Sequence, residues 1–155
     1  MVSKEVEKLL LKVQKPGRYV GGELNEVIKD KKKVDCRFAF CFPDTYEVGM
    51  SHLGMKILYS LMNAVPYIWC ERVFAPWVDM EEEMIKHNIP LYALESGDPV
   101  SDFDFIGFTL QYELSFTNML NMLRLSGVPI KSCDRKGLKL SLIHISEPTR
   151  RSYIS

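Results

Sequence analysis

Residues 37–54 read Arg-Phe-Ala-Phe-Cys-Phe-Pro-Asp-Thr-Tyr-Glu-Val-Gly-Met-Ser-His-Leu-Gly, and this stretch decides the fold. It begins with a short apolar run rich in aromatic side chains, which predicts a buried central strand. Pro43-Asp44 is a turn signal that ends the strand. From Val48 to Asn63 apolar residues recur at helical spacing, and Pro66 follows them. This spacing predicts a single helix directly after the strand.

The same alternation continues on both sides of this unit. Further strands are predicted at 67–74, 90–94 and 103–110, and further helices at 2–13, 78–87 and 113–126. Strands that alternate with helices at this spacing are typical of parallel sheets. The sequence therefore predicts a doubly wound α/β domain of the Rossmann or flavodoxin type, with a mostly parallel sheet.

Composition and charge restrict the classes of function. The chain has 155 residues, of which 46% are hydrophobic and 26% charged, and its formal net charge is zero. This balance gives no electrostatic case for a nucleic-acid partner. No run reaches the roughly 18 apolar residues of a membrane helix, and the N-terminus lacks the apolar core of a secretory signal. The four cysteines have no C-x-x-C spacing, so we expect reduced thiols in a cytoplasmic domain.

The last residues have a separate origin in our interpretation. Residues 140–155 resemble the translation of a transposon-based sequencing-library adapter, which matches Leu140 through Arg150 residue for residue. We therefore expect this tail to be non-native and exclude it from fold and function. It follows that the natural protein is expected to continue past Lys139 with other residues, and that the sheet is incomplete at its C-terminal side.

Candidate site residues lie where strands end, because ligands of open parallel sheets bind at the carboxyl ends of the strands. The first group follows the first strand and comprises Asp44, Thr45, Tyr46, Glu47, Gly49, Ser51 and His52. The second group follows the strand at 103–110 and comprises Thr109, Gln111 and Glu113. The N-terminal amides of the helix after the first strand would favour an anion or the polar edge of a ligand.

Each of these features has a plainer explanation. Asp44 and Glu47 are spaced as a helix N-cap and its third-residue acid, and His52 fits an ordinary packed or surface histidine. Gly49 allows either a ligand or a neighbouring strand to approach the backbone. Neither group pairs a nucleophile with a base, no phosphate-binding glycine motif is present, and no histidine-cysteine set has metal-ligand spacing. The sequence thus predicts binding rather than catalysis.

Residues 15–25, 42–54 and 107–123 form three blocks that resemble the N-terminal part of a family of radical S-adenosylmethionine (SAM) proteins with a B12-binding-like domain. The resemblance extends over about residues 14–130. It implies a Rossmann-type domain followed by a radical SAM barrel. In that barrel a C-x-x-x-C-x-x-C set binds a [4Fe–4S] cluster that cleaves SAM reductively.

The resemblance also implies how the chain is divided. Residues 1–35 would be an N-terminal helix and lead-in loop, and residues 36–139 a partial cobalamin-binding-like domain. The four cysteines do not match the cluster motif, so SAM and the [4Fe–4S] cluster are expected only in the barrel, which is the expected partner. Cobalamin domains that supply the lower cobalt ligand carry D-x-H-x-x-G after the first strand, and here Tyr46 stands at the histidine position. Any cobalamin is therefore expected to bind without histidine ligation from this loop.

Three functions remain open on the sequence alone. The first is an accessory domain of a radical SAM enzyme, which binds cobalamin or positions the substrate and is not catalytic by itself. The second is a cofactor-free docking module that keeps the fold. The third is a flavodoxin-like or receiver-like domain that uses Asp44, although the acidic cluster and downstream lysine of receivers are lacking. An incomplete sheet also predicts an exposed edge and poor solubility.

Overall fold

The sheet at the centre of the domain has four strands in the part of the chain that the structure describes. The structure is a computed structural model that describes residues 3–135 and 138–146. The strands are β1 Cys36–Phe42, β2 Ile68–Phe74, β3 Phe105–Leu110 and β4 Ser141–Ser146. Their order is β2-β1-β3-β4, and every neighbouring pair is parallel. This arrangement confirms the predicted doubly wound α/β class.

Helices cover both faces of this sheet. They are α1 Lys4–Leu10, α2 Tyr46–Ser51, α3 Leu53–Ala64, α4 Val78–His87 and α5 Ser115–Leu125. The helices α2 and α3 pack on one face, in a cluster that contains Phe40 and Met55. The helices α1, α4 and α5 pack on the other face, in a cluster that contains Val73 and Met80. The chain therefore crosses one face between β1 and β2 and the opposite face between β2 and β3.

Capping signals explain several helix boundaries. Ser3 precedes α1, and its side chain accepts a hydrogen bond from the Val6 amide (3.3 Å). Asn88 ends α4 in the left-handed conformation, with φ of 53°. Gly127 follows α5 with φ of 68°, a region that glycine enters without the strain other residues meet. The sequence predicted α4 and α5 within two residues of these ends.

The predicted single helix at 48–63 is instead the two helices α2 and α3. They are separated at His52, whose backbone is extended with φ of −80° and ψ of 111°. The Nδ1 atom of His52 accepts a hydrogen bond from the Met55 amide (3.1 Å), so this histidine is the N-cap of α3. Its ring lies 5.5 Å from the Phe42 ring. Apolar periodicity missed the break because it indicates which face a residue occupies and not its backbone dihedrals.

The predicted strand at 90–94 is wrong. Residues 91–94 are buried, as the apolar residues suggested, but the segment forms an isolated antiparallel bridge between Tyr92 and Pro99 in place of a ladder with the sheet. Gly97, with φ of 75°, lets the chain reverse between these residues. The segment is therefore a buried loop, because an apolar run indicates burial but not which backbone groups pair.

Side chains close the outer edge of β2. Asn63, in the last turn of α3, donates from Nδ2 to the Cys70 carbonyl (2.9 Å) and accepts at Oδ1 from the Cys70 amide (3.0 Å). The Lys29 ammonium donates to the Ile68 carbonyl and also to two carbonyls at the end of α3. Burial lowers the pKa of Lys29. These bonds occupy backbone positions that a further strand would need.

The buried loop and the two residues that follow it, Glu95 and Ser96, also close the outer edge of β2. The Arg72 amide donates to the Glu95 carboxylate (2.7 Å), and the Leu94 amide donates to the Arg72 carbonyl (2.9 Å). Ser96 donates its amide to the carboxylate of Glu71 (3.0 Å), a residue of β2 with no exposed surface. The loop thus takes the place of an edge strand and satisfies backbone groups that would otherwise be unpaired.

The strand β4 is formed by residues that the sequence analysis assigns to a translated adapter. It pairs with β3 from Phe105–Ser141 to Leu110–Ser146. A ladder uses backbone groups that every residue except proline carries, so this pairing does not test where the residues come from. On the sheet face that α3 shares, Phe105 and Ile143 remain 38% and 40% exposed. The described residues therefore leave this part of the face without a covering helix.

Candidate functional site

The strand order creates a crevice at the carboxyl ends of β1 and β3. The central strand β1 lies between β2 and β3, and the connections after β1 and β2 run over opposite faces of the sheet. Ligands of open α/β sheets bind at this kind of switch point. The loops that follow β1 and β3 border it. We call this surface the switch-point rim and define it as residues 43–48 and 109–116.

Hydrogen bonds tie the two loops of the rim together. Asp44 accepts at Oδ1 from the Thr45 amide (2.7 Å) and at Oδ2 from the Tyr112 hydroxyl (3.2 Å). The Asn118 side chain in α5 donates to the Pro43 carbonyl (2.9 Å). The predicted meeting of the two strand exits at one edge is therefore present in the structure, and Tyr112 and Asn118, which were not singled out, make the contacts.

Tyr46 points into the domain and not into the crevice. Its hydroxyl donates to Glu23 Oε1 (2.9 Å), and its ring packs edge-on against Phe74 at 5.4 Å between centroids. Burial, with the neighbouring Glu23 carboxylate, raises the pKa of Tyr46 to about 12. The residue at the position of the ligating histidine is therefore a neutral phenol that is held by the chain itself.

The capping explanation for Asp44 and Glu47 is wrong. The N-cap of α2 is Thr45, and its side chain makes no capping bond. Glu47 instead accepts from Arg18 Nε (2.8 Å) and from the Lys15 ammonium (3.3 Å), both in the loop after α1. The hydrogen bond from Arg18 lowers the pKa of Glu47. This carboxylate therefore fastens the lead-in loop to α2.

The remaining residues of the first group have structural contacts. A Cβ atom added at Gly49 would overlap the ring of Phe74, so the glycine admits a side chain of β2 rather than a ligand. Ser51 donates its hydroxyl to the Val48 carbonyl (2.8 Å). His52 caps α3, so its Nδ1 atom is bonded within the chain.

The second group is divided between buried and exposed positions. Thr109 is 5% exposed, and its hydroxyl accepts from Gln111 Nε2 (2.6 Å). Glu113 is exposed, and its carbonyl accepts from the Phe116 amide (3.2 Å) at the start of α5. Gln111 and Glu113 are thus the polar side chains that this loop presents at the surface of the rim.

The rim also exposes apolar side chains. Val48, Tyr112, Leu114 and Phe116 are 46%, 48%, 76% and 49% exposed. Exposed apolar side chains at the mouth of a crevice can contact a ligand or another protein surface. Sequence reasoning placed the two strand exits at one edge of the sheet, as they are in the structure, but did not identify these apolar residues, because exposure of a side chain cannot be deduced from spacing within one short loop.

A buried ionic cluster lies under the helices on the α3 side. Arg72 donates from Nε to Glu95 Oε1 (2.6 Å) and from Nη2 to Glu23 Oε2 (2.7 Å), and its guanidinium lies 4.8 Å from the Tyr59 ring centroid. Burial raises the pKa of Glu95 to about 7, although Arg72 acts in the opposite direction. The signal available in the sequence was the charged pair Glu71-Arg72 within an apolar strand.

A cavity of about 680 Å³ adjoins this cluster. It opens between α3 and the lead-in loop, and its wall combines apolar groups such as Val27 and Met55 with polar ones such as Lys56 and Asn63. This volume is within the range of small-molecule sites. Because Arg72 is already bound by two carboxylates, its charge is balanced inside the chain and is not left for a ligand.

The described residues do not assemble a metal site. No group of three or more histidine, cysteine, aspartate or glutamate side chains that could hold an ion occurs in residues 3–135 and 138–146. Cys41 and Cys70 are buried, and burial raises the pKa of both thiols. A protonated, enclosed thiol is a poor ligand for iron. Across the same residues, no helix combines the length and the apolar character that a membrane crossing requires.

The fold defines the class of this protein as a doubly wound α/β domain, and the rim borders the switch point of its sheet. Comparison with known proteins then gives the family. A profile of the family described as "Radical SAM proteins, N-terminal" matches residues 54–145, more than half of the 155 residues.

The chain therefore belongs to the radical SAM N-terminal family. No curated protein and no solved structure gives a match to it. The family confirms the radical SAM part of the resemblance. The B12-binding-like part stays a prediction.

Proposed function

We propose that this chain is the N-terminal accessory domain of a radical SAM enzyme and that its switch-point rim positions the substrate beside a radical SAM barrel in the same protein. The observation that carries the proposal is the construction of the rim. Two loops are joined by the bond between Tyr112 and Asp44, and they present exposed Leu114 and Phe116 next to the polar Gln111.

This construction suits positioning better than chemistry. The polar groups that fix the loops are satisfied by one another, so the rim keeps its shape without a ligand. Its apolar groups are left to make contacts. Family membership supports the assignment to a radical SAM enzyme, since that family is described as the N-terminal part of such proteins. The free cysteines agree with the predicted cytoplasmic location, which stays a prediction.

Cobalamin does not fit as a cofactor ligated by the loop after β1. Tyr46 is turned inward and bound to Glu23, and His52 uses Nδ1 to accept from the Met55 amide. Tyr46 is therefore not available as a lower cobalt ligand. A neutral His52 ring that accepts at Nδ1 has its proton on Nε2, so Nε2 has no free lone pair for cobalt. In this proposal cobalamin is restricted to binding without such a ligand, and no step of the proposed function requires it.

The [4Fe–4S] cluster likewise does not fit the cysteines of this chain. Two of the four are enclosed in the core, and Cys36 and Cys133 are far apart in sequence and belong to no metal-binding group in the described residues. We therefore assign the reductive cleavage of SAM to the barrel, in line with the family. The residues of this chain would bind and orient the substrate.

The test is made on the full-length enzyme with the paired substitution Leu114→Ser and Phe116→Ser. A positioning surface predicts that product formation falls by about tenfold or more, because a small displacement of a reacting group has a large effect on rate. Reductive cleavage of SAM in the absence of substrate should be unchanged. The matched control is Leu11→Ser, which removes an apolar side chain that is 90% exposed just after the end of α1. Unchanged product formation, or an equal loss of both reactions, would refute the proposal.

A second candidate function is a cofactor-free docking module. The observation in its favour is that Asp44, Tyr46 and Glu47 all have partners within the chain, which leaves few polar groups for a cofactor. Titration of the full-length protein with cobalamin tests this second candidate by itself. No spectral change is the result that a cofactor-free module predicts, whereas a saturable change that is lost in the Gln111→Ala variant would refute it. The paired substitution at Leu114 and Phe116 separates docking from positioning of the substrate.

A further inference from the structure

The outer face of α3 is apolar. Leu53, Ile57 and Leu61 are 68%, 49% and 62% exposed. At about 100° per residue these side chains occupy an arc of roughly 80° on the helix surface. That arc is centred opposite Met55 and Tyr59, which are buried against the sheet. The stripe therefore points away from the core of its own domain.

This pattern differs from that of an ordinary surface helix. A helix on the outside of a globular protein presents charged and polar residues to water. Among the twelve residues of α3 the only charged residue is Lys56, which lies beside the cavity and not in the stripe. A helix that is apolar on opposite sides is typical of a helix buried between two layers.

Completion of the sheet would leave Leu53 and Ile57 of the stripe uncovered. A further helix on this face of the sheet would pack beside α3, above the exposed side chains Phe105 and Ile143. It would meet the flank of α3 that carries Leu58, which packs against the core beneath. Leu53 and Ile57 lie on the side of α3 that faces away from the sheet, so a neighbouring helix in the same layer does not reach them.

We propose that the outer face of α3 is the surface on which the radical SAM barrel of the same polypeptide docks. This inference rests on the proposed function, because it takes the barrel as the partner. The area of the stripe favours a tethered partner over a second copy. Three side chains exposed to this degree offer roughly 200 Å², whereas a stable complex of separate proteins buries about 800 Å² on each partner. A surface this small binds when a linker holds the partner at high effective concentration.

The test measures the reactivity of thiols introduced into the full-length protein. Leu53→Cys and Ile57→Cys report on the stripe, and Leu11→Cys, just after α1, is the matched control. Labelling by a maleimide is followed by mass spectrometry of individual peptides, which separates these sites from the native cysteines. The labelling rate of each site is divided by the labelling rate of the same site in the protein unfolded in urea.

A docked barrel predicts labelling at 53 and 57 that is at least about fivefold slower than at 11, at every protein concentration, because reaction requires local opening of the interface. The exposed fractions of the free surface predict rates that differ by no more than about twofold. Less than about fivefold protection, or protection that disappears on dilution and so indicates a second copy, overturns the proposal.

The outcomes separate this inference from the proposed function. If the full-length protein contains the iron–sulfur cluster and cleaves SAM while Ile57→Cys is freely labelled, the docking surface is wrong and the enzyme class stands. If the protein lacks the cluster, the proposed function is wrong. Protection of the stripe in that case would contradict the barrel as the partner.

Discussion

Replacing Asn63 by alanine tests how the edge of the sheet is closed. The side chain is 9% exposed and bonds both the amide and the carbonyl of Cys70, a residue with no exposed surface. The substitution leaves two buried backbone groups without partners. At about 1–3 kcal/mol for each such group, the free energy of unfolding should fall by about 2–6 kcal/mol.

The cavity beside Asn63 reduces the expected loss in the free energy of unfolding. Asn63 lines the cavity, so water can reach part of the space that the amide vacates and recover some of the lost bonding. We therefore expect a loss of about 3 kcal/mol. With a urea dependence of about 2 kcal/mol per molar, the midpoint of denaturation should shift by about 1.5 M. Trp69, which is 2% exposed and adjacent to Cys70, provides the fluorescence signal.

Two further variants make the comparison specific. Ser60→Ala changes an exposed side chain in the wall of the same cavity and should alter the stability by less than about 0.5 kcal/mol. Asn63→Asp keeps an acceptor for the Cys70 amide but places a carboxylate oxygen against the Cys70 carbonyl at neutral pH. Its stability should recover partly on acidification, since a protonated carboxyl can donate. If Asn63→Ala is no less stable than Ser60→Ala, closure of β2 by this side chain is refuted.

The remaining predictions concern packing, pH and the origin of the tail. Gly49→Ala should lower the free energy of unfolding by about 2 kcal/mol, because the added methyl overlaps the ring of Phe74, whereas Gly17→Ala, with open space around it, should have little effect in the same thermal melts. The pKa of Glu95 in the folded state is raised to about 7 from 4.5, so its contribution to stability is present below pH 4.5 and is lost as the pH rises through 7. Urea melts across this window should show a decline of about 3 kcal/mol that Glu95→Gln removes, and an equal slope in both proteins would contradict the shift. Sequencing of the source DNA by a library method with different adapters should show other codons after Lys139, and recovery of the same codons would refute the adapter interpretation.

The sequence predicted β1 and β2 correctly, but it was wrong about the segment at 90–94, which it predicted as a strand. The runs at 37–42 and 67–74 became β1 and β2, because a short apolar run bounded by turn signals has few other uses. The run at 90–94 is also apolar, and its residues 91–94 are buried, yet it is a loop. What distinguishes it is that the side chains of Asn63 and Glu95 already bond the outer backbone groups of β2, and apolar spacing does not show which side chains do so.

The prediction of the candidate site from the sequence was limited in the same way. Spacing placed Asp44 and Gln111 at one edge of the sheet, since the carboxyl ends of parallel strands meet there. Spacing could not show that Tyr46 turns inward to Glu23, because that orientation depends on a contact between residues 23 positions apart. The prediction that any cobalamin binds without histidine ligation from this loop stays a prediction, and the structure shows only that Tyr46 at that position is bonded within the chain.

The closure of β2 has a consequence for how copies of this chain can associate. Sheets from many copies join into a fibre only when both edges of every sheet can pair with another strand. In this sheet Lys29, Asn63 and Glu95 block the edge formed by β2. In the described part of the chain the other edge is β4, whose outer side carries no further strand. When two copies pair through β4, neither has another open edge, so association of this kind stops at a dimer.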